Sequence, residues 1–200
     1  MNVYVETNFV LEQAYLQEQH VACEEILLLA EAQRANLILP TFCIGESYGA
    51  LIRRKRRRMR LHGKLSQELK ELSRSKPYTT ARADFQEITK ILSTSGREEN
   101  RRLEDTLLRV VNISTLIPMD GRLVGTAREL QASRALKPQD PLVYASVLSH
   151  LGSHASTPSC FITRNSKDFS NPYIVSDLEQ FECLLFTSFG AAYGYLRSHA

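Results

Sequence analysis

Short apolar runs rich in β-branched and aromatic residues alternate with helical stretches along the chain, and this alternation most narrows the folds open to it. The runs are Asn2–Val5, Leu37–Leu39, Ile113–Met119 (interrupted by Pro118), Cys160–Thr163 and Cys183–Phe186. Phe9–Leu16 and Val21–Ala35 predict helices, the second with Ile26, Leu27, Ala30 and Ala35 on one apolar stripe. Thr41 is expected to cap a helix running through Ile44, Tyr48, Leu51 and Ile52. Residues 61–112 carry no strand signal and are expected to form two or three helices, broken near Ser75-Lys76-Pro77 and Ser93–Gly96. Gly121–Leu136 reads as helical, Asp140-Pro141 opens another helix, and Phe189–Ser198 forms a last one. Strands separated by helices imply an α/β chain. The expected fold is a three-layer α/β/α sandwich with a central, mostly parallel five-stranded sheet, in a single domain over 1–200. A basic helical expansion interrupts it at about 53–112. Such sheets bind ligands beyond the carboxyl ends of their strands, so function is expected just after Val5, Leu39, Met119, Thr163 and Phe186.

Composition removes several classes. The 200 residues are 43% apolar and 24% charged, ordinary for a globular chain. No apolar run approaches the roughly 20 residues of a membrane-spanning helix, and the acid at position 6 with no basic flank argues against a signal peptide. Cys23, Cys43, Cys160 and Cys183 are scattered without a C-x-x-C pair, which points to a reduced, cytoplasmic protein. The G-x-S-x-G elbow, the P-loop and the dinucleotide fingerprint are absent. The five histidines show no metal-ligand spacing and receive no role.

Charge is unevenly placed. The net charge is only +3, yet Leu51–Arg82 holds twelve Lys/Arg against Glu68 and Glu71. Arg53, Arg54, Lys55, Arg56, Arg57, Arg58 and Arg60 fill seven of eight consecutive positions. Neighbours of like sign repel, so this density exceeds what solvation alone requires and points to an anionic partner, with phosphates the natural choice.

Acids stand where the strand-end rule looks. Glu6 follows the first strand, Glu46 lies early in the helix after the second, Asp140 opens the helix before the fourth, Asp168 follows the fourth, and Asp120 follows the third. Asp140 heads the stripe Val143, Tyr144, Val147, Leu148 and Leu151, and Glu46 shares a face with Phe42, Gly49 and Ala50. Converging inward acids repel one another, and a divalent cation relieves that cost; oxygen ligands suit Mg²⁺ or Mn²⁺. Each acid also has a structural reading: Asp140 as an N-cap, Asp168 in an Asx-turn, Glu46 paired with Arg53 or Lys55, Glu6 on a helix N-terminus.

Four stretches together resemble PIN-domain ribonucleases, the fold of VapC-type toxins. VYVETNFVLE is similar to the family's opening strand with its acid and Thr-Asn, TFCIGESYGAL to its second-acid helix, PQDPLVYASVL to its third-acid helix, and CFITRNSKDF to its closing strand. The resemblance implies a PIN-like sandwich and a divalent-metal-dependent endoribonuclease using Mg²⁺ or Mn²⁺. Glu6, Glu46, Asp140 and Asp168 would be its catalytic, metal-binding acids. Thr7, Asn8, Thr163 and Asn165 would line the site, and Arg53–Arg60 would hold the RNA backbone. It implies RNA as partner, an antitoxin-like inhibitor protein, and a homodimer. The family's first acid is normally Asp; Glu6 is one methylene longer, and the region 53–112 is expanded. The alternative these departures leave open is a catalytically attenuated PIN-like module that binds RNA or protein.

Overall fold

The computed structural model describes residues 1–78, 81–134, 136–154 and 157–199, without the side chains of 81–86 and 93. Five strands, β1 (Asn2–Val5), β2 (Asn36–Pro40), β3 (Thr115–Ile117), β4 (Ser159–Ile162) and β5 (Cys183–Phe186), form one sheet in the order β3-β2-β1-β4-β5. Every pairing is parallel, so the sheet is wholly rather than mostly parallel. β1 sits at the centre, with Val3 opposite Leu37 on one side and Cys160 on the other. β1 and β4 are buried at every position, as a strand covered on both faces requires, which is why their sequences are runs rather than alternations.

The chain winds outward from β1 to β2 and β3, then returns across β1 to β4 and β5. Crossovers of one hand put helices on opposite faces when the direction of winding reverses. Accordingly α1 (Thr7–Tyr15), α2 (His20–Glu31) and α4 (Ala81–Ile113) pack together, while α5 (Gly121–Arg134) packs on α6 (Asp140–Ser153) in the other layer. The reversal lies between β1 and β4, so Glu6 and Thr163, which follow them, meet at the carboxyl edge.

α3 (Phe42–Leu72) and α4 form a long hairpin whose inner ends reach the core through Leu51, Leu103, Leu107 and Val110. No described side chain from 52 to 98 is buried, so the outer hairpin projects as an arm. Its root is tied by charge: Arg58 Nη1 lies 2.6 Å and Arg54 Nη2 3.1 Å from the buried Glu99 carboxylate.

Several local expectations need correction. The break at Ser75-Lys76-Pro77 stands, marked by a 3₁₀ turn at Lys76–Tyr78, but α4 passes unbroken through Ser93–Gly96. One interior glycine costs about 1 kcal/mol, too little to interrupt a packed 33-residue helix. Thr41 occupies the cap position of α3, yet its hydroxyl donates to the Ile117 carbonyl, tying β2 to β3. α7 (Ser166–Phe169) and α8 (Pro172–Glu179) were not expected, and α9 (Phe189–His199) matches the last helix. The helix expected to Leu136 ends at Arg134, and Ala135 lies outside the described residues.

Candidate active site

Glu6 is the N-cap of α1, in extended backbone directly after β1. Its Oε2 accepts from the Asn8 backbone N–H at 3.1 Å, and its Oε1 accepts from Asn8 Nδ2 and from Thr163 Oγ1, both at 2.8 Å. The structural role considered for Glu6, accepting from a helix N-terminus, is therefore realised. Burial pushes its carboxyl above the ordinary range, the Asn8 and Thr163 bonds pull it back, and the neighbouring Glu46 charge adds to the push. Thr163 in turn accepts from the Asn165 backbone N–H at 2.9 Å, so one hydroxyl joins the ends of β1 and β4.

Glu46 sits one turn into α3, where its Oε2 accepts from Thr7 Oγ1. It pairs with neither Arg53 nor Lys55; the Lys55 ammonium donates to Asn100 at 2.8 Å instead. Asp140 is the first residue of α6, and the cap position belongs to Gln139, which makes no side-chain cap bond. With no capping duty, the Asp140 carboxylate accepts from Asn165 Nδ2 at 3.3 Å. Burial first, then the charges of Asp168 and Glu46, push Asp140 up to about 6. Asp168, carried by α7, is held below the ordinary range chiefly by Lys137, whose Nζ is 2.6 Å from Oδ2.

The fold thus links the four acids in series: Glu6 feels Glu46, and Asp140 feels both Glu46 and Asp168. Asp120 does not join them. It accepts from the Leu123 N–H at 2.9 Å and borders a separate cavity of about 290 Å³. Among the described residues, no group of three or more His, Cys, Asp or Glu side chains is arranged to hold a metal ion. Chemically, however, the Asp140–Asp168 pair fits a hard divalent cation. Both are oxygen donors, and the repulsion that raises Asp140 is what a cation relieves. Both oxygens of Glu6 already accept hydrogen bonds, which makes it the least available donor.

Two features escaped the sequence reading. Lys137 lies three residues before Asp140 in the same loop and supplies the site's own cation; a base so close to an acid-Pro helix start was the available signal. His150 on α6 and His154 at its C-cap lie one turn apart. Their rings stack at 4.0 Å, and Tyr4 Oη is 2.8 Å from His150 Nδ1.

The seven-residue basic run divides. Arg54, Lys55 and Arg58 turn toward α4 and are held by Glu99 and Asn100, while Arg53, Arg56, Arg57 and Arg60 are exposed. Arg54 also lies 4.7 Å above the Tyr15 ring. The four cysteines are free and buried, and no described helix is long and apolar enough to cross a membrane.

No curated protein matches the chain. A solved complex described as VapBC2 from Rickettsia felis bound to a DNA fragment from their promoter contains a chain that is 12% identical. The superposition covers 92% of this chain and 97% of that one at a TM-score of 0.44. The sequence pattern of the family described as PIN domain matches residues 3–169. The chain belongs to the PIN-domain family.

Proposed function

We propose that this protein is a divalent-metal-dependent endoribonuclease that hydrolyses RNA phosphodiester bonds at the carboxyl edge of β1 and β4. The observation that carries this reading is the gathering of four carboxylates there, with Glu6 bonded to Thr163, Glu46 to Thr7, Asp140 to Asn165 and Asp168 to Lys137. Family membership supports a nuclease. Asp140 and Asp168 would hold Mg²⁺ or Mn²⁺, with Glu46 beside them. The ion supplies Lewis acidity to the scissile phosphate and lowers the pKa of a water.

The remaining work falls to the chain itself. Asn165 orients Asp140 through its amide, and Thr7 fixes Glu46 through its hydroxyl. Lys137 keeps Asp168 ionised. Glu6 locks the strand ends together through Asn8 and Thr163. We further propose that this activity is the toxin half of a toxin–antitoxin pair, with an antitoxin-like inhibitor protein and a second copy of the chain as partners in a cytoplasmic setting.

The test is cleavage of a single-stranded RNA with Mn²⁺, comparing the natural chain with Asp140→Asn. Manganese-dependent cleavage lost in the variant supports the assignment; undiminished cleavage by Asp140→Asn overturns it. One observation favours a second reading, a PIN-like module that binds RNA without cutting it: Glu6 spends both oxygens on hydrogen bonds. Glu6→Asp separates the two. A large gain in cleavage marks the natural chain as attenuated, and no gain discards that reading.

A further inference from the structure

The arm carries more charge than its own packing uses. Arg54 and Arg58 are committed to Glu99, and Lys55 to Asn100. Five of the remaining cations of α3, Arg53, Arg56, Arg57, Arg60 and then Lys64, recur at i, i+3, i+4, i+7 and i+11. All five are exposed, and none forms an ion pair with a described residue. They make one straight stripe of positive charge, about 16 Å long from Arg53 to Lys64 at a rise of about 1.5 Å per residue.

Both ends of the stripe are defined. Traced backward, the same helix face passes through Gly49 and reaches Glu46, a member of the acid group. Gly49 has a specific use: a Cβ there would come within 3.2 Å of Arg53 Nη1. The missing side chain lets the first guanidinium lie back along the helix toward the Glu46 end. Traced forward, the face runs past Lys64 into Glu68 and Glu71, where the sign reverses.

An occupant must therefore be a polyanion that starts at the carboxyl edge and follows α3 for about three turns. Four of the five cations are Arg, whose planar fork matches phosphate oxygens. Ile52, Met59 and Leu61 are exposed on α3 beside the stripe, so an acidic peptide with apolar side chains is the rival occupant, and the oligoglutamate competitor below tests for an acidic peptide. We propose that this face of α3 is a track for the sugar–phosphate backbone of single-stranded nucleic acid. It would engage the nucleotides on one side of the scissile bond and lead them away from the acid site. This rests on the nuclease reading for its direction, not for its existence.

The test measures binding in EDTA, so that nothing is cleaved. Fluorescently labelled U₄, U₈ and U₁₂ are titrated by anisotropy over a range of NaCl. Comparison is made between the natural chain, a variant with Arg53, Arg56, Arg57 and Arg60 all changed to Gln, and a control with Arg122→Gln and Arg128→Gln on α5, whose side chains are exposed. Circular dichroism confirms that the variants fold. At a slope of about 0.7 per phosphate contact on single strands, losing four cations lowers the log–log salt slope by about 3. We expect that fall with at least a tenfold loss of U₁₂ affinity, an unchanged control, and weaker dependence on the stripe for U₄ than for U₁₂. Equal affinities and slopes for the fourfold variant and the natural chain overturn the track. So does an oligoglutamate of twelve residues that competes as well as U₁₂. If U₁₂ binding depends on the stripe while Mn²⁺ yields no cleavage, the track stands and the nuclease reading falls. If Mn²⁺ cleavage occurs and kcat/KM is unaltered by the fourfold variant, the reverse holds.

Discussion

Asp140→Asn should make the metal-free protein more stable at neutral pH. The Asp140 carboxyl is raised from 3.8 to about 6 by burial, by Asp168 and by Glu46. Taken at face value, that rise amounts to about 3 kcal/mol against the charged form. The side chain is only half-buried, so solvent screening leaves about 1–2 kcal/mol. The sign follows from linkage: a carboxyl raised in the folded state binds its proton more tightly there than in the unfolded chain. Its contribution to stability is complete below the ordinary carboxylate range and is lost as pH rises through about 6. Asparagine carries no charge to repel. In EDTA at pH 7.5 the variant is therefore expected to melt about 2–8 °C higher than the natural chain, since 1 kcal/mol moves Tm by about 2–4 °C at this size. The difference should shrink to nothing by about pH 4. Thermal and urea melts of both proteins across that range read this directly. A variant that is no more stable at pH 7.5, or a difference that persists unchanged to pH 4, would show that the Asp140 charge is not strained and that the acids are not coupled.

Other consequences are local. Arg164→Ala strands the buried Glu12 carboxylate, which Arg164 Nη1 meets at 2.8 Å, and should cost about 3 kcal/mol in a urea melt; a loss under about 0.5 kcal/mol refutes that account of Glu12. Burial pushes Glu99 upward, but the bonds from Arg58 and Arg54 outweigh it and hold the carboxyl low. Glu99→Gln should therefore speed amide exchange in α3 and α4 near the arm's root, with little change in the sheet. Exchange unaltered in those helices refutes the clamp. Lys137→Gln removes the chief cause that keeps Asp168 low, so the acidic limb of the cleavage–pH profile should move to higher pH. An unmoved limb means Asp168 does not act in its ionised form.

The sheet was legible because β1 and β4 at its middle are buried on both faces, and continuous apolar runs such as Val3–Val5 and Cys160–Ile162 announce themselves without any partner. The acids were legible because a parallel sheet fixes where its strand ends gather. What stayed hidden depended on contacts far apart in sequence or on overlapping local signals. Nothing in Arg53–Arg60 alone reveals that Arg54 and Arg58 are spent on Glu99, more than forty positions away. α8 begins with Asn171 capping Tyr173 and Pro172 in its first turn, a start signal that the sequence reading passed over. Ser93–Gly96 looked like a break because small residues weaken a helix, yet packing on α3 and the core overrides so small a penalty. The cap bond of Glu6 is the most instructive case. Its position at a strand end was visible, but not that both its oxygens would already be engaged.

A crystal grown with Mn²⁺ and measured at the manganese absorption edge tests the central claim most directly. The account predicts an anomalous peak within coordinating distance of both Asp140 and Asp168, abolished by Asp140→Asn. Manganese-dependent RNA cleavage by a protein whose only ordered metal lies away from those two carboxylates would contradict it.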